Sequence, residues 1–283
     1  MKRKFDMYVV TYDNDKILND WFIQSLSESM FPRDTVRVTI INNYSDNLNI
    51  DYTLLEGIDH RVFHNVVRPD WSHGHLARNW NQALLHGFKD LTNPESEMVV
   101  CVQNDTKLVS NWYADLVYLM DGLDFMTLGA GDQFMVWRPE AVNQIGMFDE
   151  RFSGIGYQEG EYFLRAILYH KDKVSINDYG HARVYNPKVL EGEHRVIQTD
   201  SERGIVRKDG KAEHHFEIAK VEFPYLDRFY DWKWGPDFRD TKFYWDIDKM
   251  VPLLGREAIH KQCYMYPYYE KHITNKEKLY AIV

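Results

Sequence analysis

The sequence predicts an α/β fold, with one large domain over residues 1–195 and an aromatic-rich C-terminal appendage over residues 196–283. Strand-like apolar runs alternate with segments of helical periodicity, which is typical of a layered α/β sheet. The run Met98–Val102 is apolar throughout, as expected when both faces of a parallel sheet are covered. Beyond about residue 195 the chain becomes polar, and aromatic residues then crowd the stretch Phe216–Tyr269.

The predicted elements follow one another in a regular order. Runs of apolar and β-branched residues predict four strands, at Met7–Tyr12, Val36–Ile41, Arg61–Val67 and Met98–Val102. Apolar residues at helical spacing predict helices that begin near Leu18, Leu76 and Trp112. The resulting β-α-β-β-α-β-α alternation favours a single sheet with helices packed on it.

Composition excludes several classes of function. The net charge of −9 disfavours a general grip on nucleic acid, whose backbone is also negative. No stretch approaches the roughly 18 apolar residues of a membrane span, although the basic tip Met1–Lys4 leaves a peripheral membrane contact open. Two widely separated cysteines, Cys101 and Cys263, favour a reducing compartment, and we expect a cytoplasmic location.

The candidate chemistry lies where the predicted strands end, because ligands of open α/β sheets bind beyond the carboxyl ends of their strands. These ends are rich in carboxylates and amides: Asp13-Asn14-Asp15, Asn42-Asn43-Tyr44-Ser45-Asp46, Arg68-Pro69-Asp70 and Gln103-Asn104-Asp105. None carries a glycine-rich loop, which argues against a dinucleotide cofactor or a P-loop ATPase. Oxygen ligands suit Mg²⁺ or Mn²⁺, which could hold the diphosphate of a nucleotide.

Four stretches, in order, resemble the GT-A fold glycosyltransferases, in particular their large inverting family 2. They cover roughly residues 5–190, and it is their order along the chain that carries the resemblance. The matching stretches are Tyr8–Tyr12 with the helix ending in Gln24-Ser25-Leu26, Thr39–Asp46, Leu76–Ala83 before Gln103-Asn104-Asp105, and Gly131–Glu150 leading into Gln158–Arg165.

The resemblance implies a Rossmann-like mixed sheet flanked by helices. It also implies transfer of a sugar from a nucleoside diphosphate sugar, with UDP slightly favoured, to a hydroxyl of a glycan, glycoconjugate or lipid-linked sugar, assisted by Mn²⁺ or Mg²⁺. The residues expected to bind the donor are Thr11, Tyr12, Asp13, Asn43, Asp46, Arg78, Asn79, Asn104 and Asp105. Asp132 and Gln158 are expected at the acceptor, and Asp105 and His181 at the metal.

Two departures from the family pattern matter. The metal motif is usually Asp-x-Asp, and Gln103 replaces its first carboxylate while Asp105 keeps the last, so we expect modest metal affinity. Glu159 aligns with the family's catalytic Asp and Glu161 with a second Asp, and residues two apart on a helix point about 200° apart. We favour Glu159 as the general base, with Glu161 either catalytic or paired with Arg165 at i,i+4.

Structural roles compete with each of these assignments. Asp105 could end a strand, Asn43 and Asp46 could form a turn, and Arg78 could form a surface salt bridge. Among other functions, a non-catalytic sugar-nucleotide or glycan-binding module is the main alternative. A phosphatase is disfavoured by Lys16-Ile17 after Asp13-Asn14-Asp15, and a sugar nucleotidyltransferase by the lack of glycine in Thr11–Lys16.

Overall fold

The computed structural model describes residues 2–12, 14–43, 47–65, 76–129, 132–152, 156–178, 183–184, 197–198 and 224–231. Within these ranges the chain forms one seven-stranded sheet and two short two-stranded ones. The strands are β1 (Arg3–Thr11), β2 (Val36–Asn42), β3 (Asp59–His64), β4 (Ser96–Gln103), β5 (Thr106–Lys107), β6 (Phe125–Leu128), β7 (Phe134–Trp137), β8 (Val174–Ser175), β9 (Asn177–Asp178), β10 (Arg183–Val184) and β11 (Ile197–Gln198).

The main sheet is mixed, in the order β3-β2-β1-β4-β7-β6-β8. Strands β3, β2, β1 and β4 run parallel, so their carboxyl ends share one edge. Strand β7 runs antiparallel to both β4 and β6, and β6 runs parallel to β8. The predicted mixed α/β sheet flanked by helices is therefore confirmed.

Helices cover both faces of this sheet. The first helical segment joins α1 (Asp15–Ile17), a π-helix (Leu18–Ile23) and α2 (Gln24–Glu28), and it shares one core with α4 (Trp112–Leu119). The opposite core holds α3 (Leu76–Phe88), α5 (Pro139–Ile145) and α6 (Tyr157–His170). Three 3₁₀ turns, at Arg33–Thr35, Tyr52–Leu55 and Lys171–Lys173, complete the regular structure.

The two cores follow from the alternation of side chains along the central strands. Met7 and Val9 of β1 face the α4 side, whereas Tyr8 and Val10 face the α3 side. Because both faces are buried, β1 and β4 read as apolar runs, and this is why both were predictable. None of the helices in the described ranges is long and apolar enough to cross a bilayer.

The sequence prediction differs from the structure at several places in the sheet. Strand β1 spans Arg3–Thr11 rather than Met7–Tyr12, and the edge strand β8 was not predicted. Strand β3 starts at Asp59 rather than at Arg61 and ends at His64, and residues 66–67 of the predicted strand lie outside the described ranges. Strands β6 and β7 were not predicted. Each has four residues, all buried, so neither shows the alternation that identifies a longer strand.

Part of the predicted C-terminal appendage packs on the core. A helix over residues 224–231, α7, places Leu226 and Tyr230 in the same core as α3 and α6. Its Phe229 ring lies 4.7 Å from that of Phe152, and its Asp227 accepts a hydrogen bond of 2.6 Å from the Tyr157 hydroxyl. Most of residues 196–283 lie outside the described ranges, so the domain boundary at residue 195 stays a prediction.

A glycine in α3 sets how closely this helix approaches the sheet. A Cβ atom at Gly87 would lie 2.4 Å from Val99 Cγ2 and 3.2 Å from Tyr8 Cε2. We therefore expect Gly87→Ala to destabilise the fold by about 1–3 kcal/mol in urea unfolding, because overpacking outweighs the gain of about 1 kcal/mol in helix propensity. Asn143→Ala, at an exposed position of α5, should stay within about 0.5 kcal/mol of the wild type.

Candidate active site

The predicted donor-binding residues of β1, β2 and β4 meet at the carboxyl edge of the sheet. Val10 of β1 pairs in register with Gln103 of β4, so the residues after these two positions lie level with each other. The Asn104 amide donates a 3.0 Å hydrogen bond to Thr11 Oγ1, and the Asn43 backbone N–H donates one of 3.0 Å to the Thr11 carbonyl. Tyr12, the next residue of the chain, is half-buried.

A buried carboxylate, Asp132, lies beneath this edge. It is 4% exposed and accepts hydrogen bonds from the Trp80 indole N–H at 2.9 Å, from the Gln158 amide at 3.4 Å and from the Gln103 amide. These partners come from α3, α6 and the end of β4, three elements far apart in sequence. Asp132 therefore links α3 and α6, which cover the same face of the sheet, to the end of the central strand β4.

Asp105 and Asp132 form an electrostatic pair at the end of β4. Burial raises the pKa of Asp132 to about 6, the hydrogen bonds from Trp80 and Gln103 oppose that rise, and the negative charge of Asp105 adds to it. Asp105 is itself only 8% exposed. A buried acid whose pKa is raised by a second buried acid beside it makes an environment that favours a bound cation.

The donor set fits a hard divalent cation that is held weakly. The Asp105 carboxylate and the Gln103 amide carbonyl both offer oxygen, which suits Mg²⁺ and Mn²⁺. Within the described ranges, no group of three or more His, Cys, Asp or Glu side chains is arranged to hold a metal ion. The protein would therefore supply one or two oxygen ligands, and a diphosphate and water would supply the others.

The N-terminus of α6 carries Gln158 and Glu159, the predicted acceptor-binding residue and the predicted base. Gln158 is 2% exposed, and its Oε1 accepts a 3.2 Å hydrogen bond from the backbone N–H of Ala77 at the start of α3. Glu159 is 8% exposed, and its Oε1 accepts a 2.8 Å hydrogen bond from the Gly156 backbone N–H. The Glu159 contact is half of a capping box, so this side chain stabilises the helix start in addition to any chemistry.

Glu161 has a different environment from Glu159. It is fully buried and binds the Arg165 guanidinium through both carboxylate oxygens, at 2.8 and 2.9 Å. Arg165 also donates to the carbonyls of Ile145 and Met147, each at 2.7 Å. This is the i,i+4 pair that was the alternative to a catalytic Glu161, and it leaves Glu159 as the better-placed candidate for the base.

Arg78 and Asn79, predicted to bind the donor, lie in the first turn of α3. The Arg78 side chain is 60% exposed and donates to Glu150 Oε2 at 3.2 Å, which is the surface salt bridge expected as its structural role. Asn79 is 1% exposed, and its Oδ1 accepts a 3.3 Å hydrogen bond from Asn65 after β3. Donor binding by either residue stays a prediction.

Two residues that make contacts at the site, Trp80 and Asn81, were not predicted as site residues from the sequence. Trp80 was counted as part of the apolar face of α3, although its indole N–H reaches Asp132. Asn81 exchanges two hydrogen bonds, of 2.8 and 2.9 Å, with the Phe148 backbone and donates to Glu150 at 3.0 Å. A buried asparagine in an amphipathic helix is the signal that could have identified this second contact.

Three further predictions fall on parts of the chain that are not described. Asp13 and Asp46, expected at the donor nucleotide, and His181, expected at the metal, lie outside the described residues. They stay predictions.

Comparison with known proteins gives a likeness to solved structures. No family model matches the chain, and no curated protein matches it. TarS from S. aureus matches with 15% identity and a TM-score of 0.49 over 92% of this chain, which spans 46% of the length of TarS. The mannosyltransferase PcManGT from Pyrobaculum calidifontis, in complex with GDP-Man and Mn²⁺, matches with 12% identity and a TM-score of 0.45 over 100% of this chain and 86% of its own.

A third structure is the glucosyl-3-phosphoglycerate synthase of Mycobacterium tuberculosis in complex with phosphoglyceric acid. It matches with 12% identity and a TM-score of 0.41, over 62% of this chain and 69% of its own. At these identities the likeness concerns the fold alone. All three TM-scores lie below 0.5, so the likeness assigns neither an activity nor a ligand to this chain.

Proposed function

We propose that this protein is a glycosyltransferase that moves a sugar from a nucleoside diphosphate sugar to a hydroxyl of a glycan, glycoconjugate or lipid-linked sugar. The observation that carries the proposal is the pair of buried acids, Asp105 and Asp132, at the shared edge of parallel strands, beside the contact between Thr11 and Asn104. Open α/β sheets bind their ligands at this edge. The two widely spaced cysteines favour a cytoplasmic location for this activity.

The proposed reaction is a single displacement with inversion. The acceptor oxygen forms a bond to the anomeric carbon, its proton passes to the Glu159 carboxylate, and the bond from that carbon to the diphosphate oxygen breaks with its electron pair. Mn²⁺ or Mg²⁺, when bound, would neutralise the negative charge of the departing nucleoside diphosphate. Asp105, with the Gln103 carbonyl, would hold that cation.

The donor nucleotide is assigned to the ends of β1 and β2. Thr11 is 1% exposed and Asn43 is 2% exposed, and the hydrogen bond between their backbones fixes the spacing of the two strand ends. Polar side chains on strand ends that are fixed in this way could form hydrogen bonds to a base and a ribose without rearranging. Tyr12, which is half-buried, would cover the nucleotide from the same edge.

A non-catalytic sugar-nucleotide or glycan-binding module is the second candidate. Two observations favour it: an amide, Gln103, at the position of the first metal carboxylate, and the engagement of Glu159 in capping α6. A binding module should be stabilised by a nucleotide sugar but should neither transfer nor hydrolyse the sugar over long incubation. Turnover of a nucleotide sugar with Mn²⁺ would exclude it.

The test of donor binding is a thermal shift screen of UDP-, GDP- and dTDP-sugars with Mn²⁺. A donor at 100 times its dissociation constant should stabilise the protein by about 2.7 kcal/mol. We expect Asp105→Asn to abolish the part of this stabilisation that depends on Mn²⁺. Asp34→Asn, an exposed acid in the turn before β2 and thus at the opposite edge of the sheet, should retain it. An Mn²⁺-dependent shift that survives Asp105→Asn would contradict the assignment of the metal ligand.

A further inference from the structure

Gln103 and Asp132 are joined in a way that fixes the orientation of the Gln103 amide. The Gln103 Nε2 donates to Asp132 Oδ1, whereas Trp80 and Gln158 both donate to the other oxygen, Oδ2. An ionised carboxylate only accepts hydrogen bonds, so the amide must turn its N–H₂ towards Asp132. The three side-chain donors are thus divided between the two oxygens, and within the described ranges Gln103 is the side chain that donates to Oδ1; the backbone N–H of Asp132 itself also hydrogen-bonds the carboxylate.

The same constraint leaves the Gln103 carbonyl oxygen on the other side of the amide. No residue within the described ranges donates a hydrogen bond to this oxygen, and the side chain is half-buried. Gln103 is the last residue of β4, and Asp105 follows it by two positions in the turn after the strand. A carbonyl oxygen held there adds a neutral oxygen ligand beside a carboxylate, a combination that Mn²⁺ and Mg²⁺ accept.

We propose that Asp132 is a positioning residue that acts through Gln103, holding its amide so that the carbonyl oxygen, and not the N–H₂ group, is presented beside Asp105 to a divalent cation. This inference rests on the proposed function and refines its metal site. It also explains why an amide is tolerated at position 103. A carboxylate there would lie against the Asp132 carboxylate, and two like charges in contact destabilise each other.

The division of donors makes Asp132→Asn an informative variant. Its Oδ1 can take the place of Oδ2 and keep the hydrogen bonds from Trp80 and Gln158. The N–H₂ group of the new asparagine then faces Gln103. Gln103 can accept a hydrogen bond from this group only after the Gln103 amide rotates by half a turn. The fold should therefore be retained, because the buried side chains that contact position 132 each keep a partner, while the group presented beside Asp105 changes from C=O to N–H₂.

The experiment measures the binding of Mn²⁺ alone, by the electron paramagnetic resonance of the free ion, with thermal unfolding of the metal-free proteins in parallel. We expect Asp132→Asn to weaken Mn²⁺ binding about tenfold, equivalent to about 1.4 kcal/mol, with the unfolding midpoint within a few degrees of the wild type. In a Gln103→Met background, Asp132→Asn should change the affinity less than about twofold, because the group through which it acts is gone.

An exchange of the two groups provides the rescue. In Gln103→Glu with Asp132→Asn, the new amide donates to the new carboxylate, and that carboxylate lies beside Asp105. This double variant should bind Mn²⁺ at least as tightly as the wild type and about tenfold or more tighter than Asp132→Asn alone. The double variant also keeps the inference testable if Asp132→Asn alone folds poorly, because the hydrogen bond between positions 103 and 132 is complete in the double variant.

Two outcomes would overturn the inference, and only the second would also overturn the metal-assisted function. If Asp132→Asn weakens Mn²⁺ binding equally with Gln103 and with Met at position 103, Asp132 acts through its own charge, and the proposed function still stands. If the wild type binds no Mn²⁺ at millimolar concentration, both the inference and the metal-assisted function fail. The clearest negative result combines two findings. Asp132→Asn weakens Mn²⁺ binding by the same factor with Gln103 and with Met at position 103, and Gln103→Glu combined with Asp132→Asn binds Mn²⁺ no more tightly than Asp132→Asn alone.

Discussion

Replacing Glu159 by glutamine should lower the rate of sugar transfer about 10²–10⁴-fold, the usual contribution of a general base, while the protein stays folded. Glutamine is nearly the same size and keeps an oxygen that can accept the 2.8 Å hydrogen bond from the Gly156 N–H. The cap of α6 is therefore preserved, but the side chain can no longer take a proton. Initial rates at saturating donor and acceptor, together with the unfolding midpoint, separate the two effects.

The control for this variant is Glu140→Gln, which changes another glutamate in the first turn of a helix, here exposed on α5. It should leave both the rate and the stability near those of the wild type. If Glu159→Gln transfers sugar within a few-fold of the wild type and Glu140→Gln does the same, the acid at 159 only caps its helix. The general base would then have to be sought in another residue.

The parts of the fold that sequence could predict are those where one physical signal dominates. Strands β1, β2 and β4 are buried on both faces; apolar runs mark β1 and β4, and β-branched residues mark β2. The meeting of Thr11 with Asn104 also followed from topology, because parallel neighbours end at the same edge. Strands β6 and β7 were missed because four buried residues carry no periodic signal.

The centre of the candidate site was harder to predict than its edge. The family resemblance gave Asp132 a place at the acceptor, but its partners Trp80, Gln103 and Gln158 come from three elements brought together only by the packing of α3 and α6 on the sheet. Sequence periodicity gives the face of a helix that is buried but not the atom that a buried indole N–H will contact. A buried donor needs an acceptor, yet the acceptor can lie anywhere in the chain.

Glu161 is a second residue whose role could not be decided from the sequence alone. The motif likeness placed it among the catalytic residues, and the i,i+4 spacing gave Arg165 as its partner instead. The i,i+4 spacing alone could not decide between these roles, because the same spacing occurs in exposed and in buried ion pairs. Because both side chains are fully buried, removing one of them would leave the other charge buried without its partner.

Arg165→Met should destabilise the protein by about 3–5 kcal/mol, because it leaves the Glu161 charge buried without its partner. The carbonyls of Ile145 and Met147 would also lose their 2.7 Å hydrogen bonds from the guanidinium. These carbonyls flank Gly146, whose φ of 92° turns the chain between α5 and the segment held by Asn81. The variant should therefore loosen the segment that leads to Glu159.

Two comparisons in urea unfolding isolate this effect. Arg78→Met removes an exposed arginine from its ion pair with Glu150 and should cost no more than about 1 kcal/mol. Glu161→Leu combined with Arg165→Met removes the stranded charge and should recover part of the loss, since an apolar pair often replaces a buried ion pair at little cost. If the double variant is less stable than Arg165→Met alone, the loss comes from the orphaned carbonyls rather than from the Glu161 charge. That result would make Arg165 chiefly a clamp on the turn at Gly146.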